Sequence, residues 1–326
     1  MSSENQILRV EHLKMHFPMK KGLIQRTYAS VKAVDDVSFS VNEQETFGIV
    51  GESGCGKTTT ARCILRIYKP TSGKIYYRDT DITDLSERQL RLFRREIQLI
   101  FQDPYGSLDP RQSIYSIVAE AIAEDGKWRS KGELKDSVND LLCKVELDPT
   151  LGERFPHELS GGQRQRLGIA RALACNPKLV VCDEPVSALD VSIQAQIINL
   201  FERLQEEMGL TYVFVAHDLA VVRHISHKIA VMYLGKVMEI TEATDLYHNP
   251  VHPYTKALLS AVPITDYHVE QKRQRIILQG EVPSLINSPS GCPFHPRCMY
   301  ATDECRHCMP ELKDLGNNHF VACHNC

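Results

Sequence analysis

Gly51-Glu52-Ser53-Gly54-Cys55-Gly56-Lys57-Thr58 spells out G-x-x-x-x-G-K-[ST]. Such a run wraps backbone N–H groups around phosphate oxygens at the positive end of a helix. Lys57 is then placed for the β- and γ-phosphates, and the Thr58 hydroxyl for Mg²⁺. A second bare backbone surface occurs at Leu159-Ser160-Gly161-Gly162-Gln163, again at a helix start suited to anions. Taken alone, Ser160 also fits a plain helix cap. Leu179-Val180-Val181-Cys182 is followed by Asp183 and Glu184. Asp183 suits the Mg²⁺ shell, and Glu184 suits a general base or positioner for an attacking water. Gln102 and His217 each follow a short apolar run. A Gln there reaches a metal or an attacking water, and a His reaches a γ-phosphate.

These residues need a scaffold that delivers them to one edge. Phe47 to Val50 reads as a buried strand entering the phosphate loop, and Thr58 to Ile67 as the helix leaving it. Ile97 to Phe101, Leu179 to Cys182 and Tyr212 to Ala216 are apolar runs of the kind found in parallel sheets buried on both faces. Ile7 to Phe17 and Val37 to Val41 read as earlier strands, with Met19 to Ser30 as a loop between them. Phe17 and Tyr28 are the two aromatics upstream of the loop that an adenine ring can stack on. Lys74 to Tyr77 reads as a strand, and Ser86 with Gln89 as a capping box for a helix through Arg95. Ile114 to Val145 carries two apolar stripes at helical spacing, joined by the polar stretch Asp125 to Gly132. This is the pattern of a helical insertion between strands. Ser187 to Asp190 caps a helix over Val191 to Met208, and Ile229 to Tyr233 with Val237 to Ile240 forms a hairpin.

The bulk properties narrow the class. With 326 residues, a net charge of −3 and 43% hydrophobic residues, the chain is a globular protein of one large or two modest domains. No basic stripe favours nucleic acid. Met1 to Gln6 lacks a basic stretch leading into an apolar core, so no signal peptide is expected. No apolar run approaches the ~18 residues needed to span a bilayer. Attachment to a membrane is therefore expected to come through other subunits.

In their order and spacing, the phosphate loop, Gln102, Leu159 to Gln163, Val180 to Glu184, Ser187 to Asp190 and His217 resemble the ATP-binding subunit of ABC transporters. Phe101-Gln102-Asp103-Pro104-Tyr105-Gly106-Ser107-Leu108-Asp109-Pro110-Arg111 resembles the oligopeptide/dipeptide importer branch. So do Val251-His252-Pro253-Tyr254-Thr255 and Gly291-Cys292-Pro293-Phe294-His295-Pro296-Arg297-Cys298. The resemblance implies an α/β fold of the P-loop NTPase type. Residues 7–255 would form the nucleotide-binding domain, with a helical insertion at about 103–165, and 256–326 a Cys-rich extension. It implies an ATPase in which Gly51 to Thr59 bind ATP, and Thr58, Gln102 and Asp183 serve Mg²⁺. Glu184, His217 and Gln102 would be catalytic. Ser160, Gly161, Gly162 and Gln163 would act in trans on a partner's nucleotide, with Asp190 at the dimer seam. The implied partners are a second, related ATPase subunit, two transmembrane permeases and, indirectly, a substrate-binding protein. The implied location is the cytoplasmic face of the membrane. An importer ATPase for nickel or another small solute, and a soluble ABC ATPase outside transport, are the competing readings. The cargo is not legible, because the binding protein and permeases select it.

Six of the eleven cysteines crowd into the C-terminal stretch from Cys292 to Cys326. Spacing alone offers Cys305-x2-Cys308 and Cys323-x2-Cys326, close to a four-thiolate zinc pattern. The resemblance picks out Cys292, Cys298, Cys305 and Cys323 instead, as ligands of a [4Fe-4S] cluster. Ile276 to Leu278 reads as a short strand within this region.

Overall fold

The computed structural model describes residues 5–21, 26–123, 130–262 and 275–326. In the first part of the chain the elements are β1 (Gln6–Lys21), β2 (Arg26–Asn42), β3 (Thr46–Val50), α1 (Lys57–Ile64), β4 (Ser72–Tyr77) and β5 (Thr80–Asp81). Next come α2 (Glu87–Glu96), β6 (Ile97–Ile100), α3 (Pro104–Ser107), α4 (Ile114–Ala123), α5 (Lys131–Lys144) and α6 (Gly161–Leu173). They are followed by β7 (Leu179–Asp183), α7 (Val191–Met208), β8 (Thr211–Val215), α8 (Leu219–Ile225), β9 (Lys228–Tyr233) and β10 (Lys236–Glu242). The last are α9 (Ala243–His248), α10 (Pro253–Ala261), α11 (Asp303–His307), β11 (Lys313–Asp314) and β12 (Phe320–Val321). They divide between two compact units, one mainly Asn42–Glu45 and Leu85–Val215, the other Gln6–Val41, Thr46–Asp84 and Ala216–Cys326.

In the first unit β6, β7 and β8 lie parallel, with Ile97 opposite Leu179 and Asp183 opposite Val215. Every residue of β7 and β8 is buried, as a parallel strand covered on both faces requires. Tyr212 is accommodated in β8 because its hydroxyl donates to the Phe201 carbonyl of α7 at 3.1 Å. The helical insertion is anchored at defined points. Arg166 of α6 donates to the Val145 carbonyl at 3.0 Å and pairs with Glu146 at 2.5 Å, just beyond α5. Arg171 reaches the Ser107 carbonyl at the end of α3.

The second unit has two sheets. One runs β2-β1-β4-β5, with β1 antiparallel to β4. The other, within this unit, runs β11-β12-β10-β9-β3, with β3 parallel to β9 and the remaining pairs antiparallel. The C-terminal extension therefore supplies edge strands to the same sheet that carries the phosphate loop. Glu239 of β10 is fully buried. Its carboxylate accepts from the Val251 and His252 amides at 2.9 and 3.0 Å and pairs with His319 Nε2 at 2.7 Å.

Three expectations change. Met19 to Ser30 is not a loop: β1 runs to Lys21 and β2 begins at Arg26, two long strands of a single sheet whose connection lies outside the described residues. The helix after the phosphate loop ends at Ile64 rather than Ile67, because Arg66 takes a φ of +55° and its Nε donates to the Ile82 carbonyl at 3.0 Å. Ile276 to Leu278 is not a strand. Ile277 is 84% exposed, and the Ile276 amide bonds to the Ser260 hydroxyl in place of a strand partner. Most of the polar connector at Asp125 to Gly132 falls outside the described residues.

Glu239→Ala strands two buried amides and a histidine at once. A loss of about 3 kcal/mol in unfolding free energy is expected, read as a lowered midpoint in thermal or urea unfolding of the full chain.

Candidate active site

The loop geometry follows from what surrounds it. β3 is buried along its whole length and leads into Gly51. Gly56 is the N-cap of α1 at φ +108°, where a Cβ would meet the Ala33 carbonyl oxygen at 2.1 Å. Only glycine fits such a backbone, and it turns the loop onto the helix N-terminus. Lys57 is 4% exposed and folds back over the loop, its Nζ donating to the Gly51 and Glu52 carbonyls at 2.8 and 3.1 Å. Ser53 and Gly54 are exposed at the mouth, and Thr58 and Thr59 are half-buried in the first helical turn. Burial pushes the Cys55 thiol up, with Lys57 opposing, so it serves as packing. In the same unit the Ala216 amide donates to the Ile49 carbonyl at 3.1 Å, so exposed His217, the next residue, lies one position beyond a contact with the strand that enters the loop. Tyr28 is 60% exposed, whereas Phe17 packs edge-on against Tyr68 at 5.4 Å.

The other unit carries the acids and the second helix start. Asp183 ends β7 with 4% exposure. Glu184 follows at φ +48°, its amide still paired to the Val215 carbonyl at 2.9 Å. The turn brings its carboxylate to Gln102, which follows β6: Gln102 Nε2 donates to Glu184 Oε2 at 3.0 Å. These two positions, 82 residues apart, are thus joined as their strand-end placement implied. Ser160 caps α6 in a capping box, accepting from the Gln163 amide while its own amide donates to Gln163 Oε1 at 2.9 Å. Gly162 lies where a Cβ would meet Ile193 of α7 at 2.8 Å, so the close approach of the two helix starts depends on its size. Asp190 caps α7, and hydrogen bonds from the Ser192 hydroxyl and the Ile193 amide hold its carboxyl below the usual range.

Sequence reasoning missed two contacts to the loop. The Tyr254 hydroxyl accepts from the Glu52 amide at 3.0 Å, and Arg297 grips the Glu52 carboxylate with Nη1 and Nη2 at 2.8 and 3.2 Å. Both residues lie in segments singled out only for their resemblance, with no local signal for the contact.

A family profile described as "ABC transporter" matches residues 34–187, and one described as "Oligopeptide/dipeptide transporter, C-terminal region" matches residues 238–305. The oligopeptide transport ATP-binding protein AppF of Bacillus subtilis is 54% identical over 99% of this chain and 99% of its own length. The chain belongs to the ATP-binding subunits of the oligopeptide/dipeptide ABC transporters. OppF of Salmonella typhimurium is also similar, 49% identical over 97% of this chain and 95% of its own. Among solved structures, the dimeric post-hydrolysis ATP-binding cassette MJ0796 bound to ADP and Pi superposes with a TM-score of 0.64 at 30% identity. It covers 72% of this chain and 98% of that one. This ABC subunit is accordingly an ATPase. Among the described residues, no helix is long and apolar enough to cross a membrane.

The cysteines of the ABC subunit's tail sit near one another. Burial pushes the Cys292 thiol up to about 11, and the neighbouring Cys305, Cys323 and Cys298 push it further in the same direction. Yet among the described residues no three His, Cys, Asp or Glu side chains are grouped as a metal ion needs. Neither the four-thiolate iron–sulfur set nor the zinc set is assembled in this structure.

Lys57→Ala removes the one side chain of the loop that carries a positive charge. An interaction of about 2–3 kcal/mol with phosphate is expected to vanish, a loss of roughly 30–150-fold in affinity for ATP, read by titration with a fluorescent nucleotide.

Proposed function

We propose that this ATPase energises import of oligopeptides or dipeptides through a membrane ABC transporter. The observation that carries the reading is the Gln102–Glu184 hydrogen bond at the C-terminal ends of two neighbouring parallel strands. It fixes one carboxylate oxygen of Glu184, the preorganisation that a general base or water positioner needs. The peptide cargo is supported by the similarity to oligopeptide transport ATP-binding proteins and by the match of the chain's later part to a peptide-transporter region. In domain terms, residues 7–255 are the nucleotide-binding part, with the insertion at about 103–165, and 256–326 the extension.

Each residue then has a task. Within Gly51 to Gly56, Ser53, Gly54 and Gly56 offer backbone N–H groups to the phosphates, the Glu52 and Cys55 amides being given to the Tyr254 hydroxyl and the Glu52 carbonyl, with Thr59 in the first helical turn behind them. Lys57 exchanges the Gly51 and Glu52 carbonyls for phosphate oxygens. Tyr28, with its ring free of the packing that occupies Phe17, stacks on adenine. The Thr58 hydroxyl, the Gln102 amide oxygen and the buried Asp183 carboxylate are each the kind of hard oxygen ligand that Mg²⁺ prefers. Held there, Mg²⁺ would supply neutralisation of the charge that develops on the phosphates. Glu184 orients the attacking water and His217 contacts the γ-phosphate. Ser160, Gly161, Gly162 and Gln163 close in trans on a partner's nucleotide, and Asp190 lies at the seam. The dimer described for MJ0796 supports that pairing. The partner is a second, related ATPase subunit, and both attach at the cytoplasmic face to two permeases served by a binding protein.

For the tail, it is the sequence resemblance that supports a thiolate site at Cys292, Cys298, Cys305 and Cys323. Metal and sulfide analysis of anaerobically purified protein decides among a [4Fe-4S] cluster, zinc and neither.

Glu184→Gln is expected to keep ATP affinity, to accumulate as a nucleotide-bound dimer and to lose turnover by about 10²–10⁴-fold. Size-exclusion chromatography with ATP and steady-state phosphate release read both effects. Substantial turnover would remove Glu184 from its role. Stimulation of the reconstituted complex by a peptide-loaded binding protein, but not by a nickel-loaded one, tests the cargo.

A further inference from the structure

The Cys-rich tail touches the phosphate loop at one place and faces it at another. At one, Arg297 holds Glu52 with a two-pronged pair, and its Nη1 also lies 3.4 Å from the Tyr233 hydroxyl. The Arg297 side chain is 8% exposed and that of Glu52 24%, so the pair is largely shielded from solvent. At the other, the tail segment from Val282 to Ile286 faces Glu52, Ser53 and Gly54 across a cavity of about 320 Å³. That segment is tied down by the Lys32 amide donating to the Leu285 carbonyl at 3.2 Å.

The mounting of Arg297 is rigid. Three residues earlier, Phe294 is 1% exposed and packs against Tyr233 and Tyr254 with ring centroids 5.4 and 5.3 Å away. The Cys292 amide donates to the Cys305 carbonyl at 2.8 Å, closing the turn that carries both. Tyr254 in turn accepts from the Glu52 amide. Glu52 is therefore held by backbone and by side chain, both times from elements C-terminal to residue 250.

Electrostatics says why this matters. A carboxylate inside a phosphate-binding loop repels the anion that the loop exists to hold. A guanidinium fork both neutralises the carboxylate and fixes its direction. We propose that Arg297 is a positioning residue of the phosphate loop, and that through Glu52 the Cys-rich tail sets the affinity of this site for nucleoside triphosphate. The inference rests on the nucleotide site proposed above. By linkage, whatever loosens the tail weakens ATP binding, and bound ATP steadies the tail to the same degree.

The test uses the full chain with MgATP. Arg297→Met is expected to weaken ATP binding by roughly tenfold or more, within the ~5–150-fold span usual for coupled sites. The change should fall on KM, with kcat at saturating ATP largely kept. Arg297→Lys, a point charge without the fork, should fall between the two. Adding Glu52→Gln to Arg297→Met removes the exposed carboxylate and should recover most of the lost affinity, which no general loss of packing would do. ATP should slow proteolysis of the tail in the wild type and much less in Arg297→Met. Unchanged ATP affinity in both Arg297 variants would overturn the clamp. So would a double variant no better than Arg297→Met, which also covers a variant that is merely destabilised. Lys57→Ala separates the two readings: if the wild type binds ATP no better than Lys57→Ala, the nucleotide site and the clamp fall together. Binding that depends on Lys57 but not on Arg297 overturns the clamp alone.

Discussion

Parallel strands buried on both faces can place reactive polar groups only where the strand stops. β7 is apolar until Asp183 and buried throughout, as is its neighbour β8, while β6 on its other side is half-buried at Gln98 and Leu99. At a strand end the backbone is free to turn, and the acids and amides collect there. Glu184 shows the cost of that turn: a non-glycine residue at φ +48° is sparsely populated, and it is tolerated because its amide stays in the ladder with Val215. The result is a carboxylate directed at Gln102 rather than at solvent.

The phosphate loop obeys a different constraint. Those of its backbone N–H groups that are to face an anion cannot also be spent on ordinary pairing. Side chains around the loop do the work of holding it. Lys57 covers the carbonyls of Gly51 and Glu52, Tyr254 takes the Glu52 amide, and Arg297 takes its carboxylate. Much of this support comes from the C-terminal part of the chain. β12 pairs with β10, and the Glu239–His319 contact locks that pairing in a site without solvent. In this subunit the extension is part of the nucleotide-binding unit in a physical sense, because removing it would leave a sheet edge and an aromatic cluster uncovered.

Local sequence pattern was a good guide wherever the pattern itself carries the physics. α7 was expected over Val191 to Met208 and occupies those residues, because Asp190 and Gly209 cap both ends. α2 begins at its Ser86–Gln89 box for the same reason. The phosphate loop, the second helix start at Ser160 and the strand-end acids were all readable. The pattern misled where an apolar triplet had no partner, as at Ile276 to Leu278, and where long strands carry charged residues on an exposed face, as in β1 and β2.

The sequence by itself determined which residues spell out a phosphate-binding loop, which acids follow a buried strand, and to which family the chain belongs. Those are properties of short segments, and a short segment carries its own turn, cap and periodicity. Only the tertiary structure decided how Glu52 is held, that Gln102 meets Glu184, and that the tail enters the sheet of the phosphate loop. Each joins positions far apart in the chain. Glu52 and Arg297 are 245 residues apart, and nothing in either neighbourhood encodes the other. Their meeting is fixed by the packing of Phe294 against Tyr233 and Tyr254, a contact that exists only once the chain is folded.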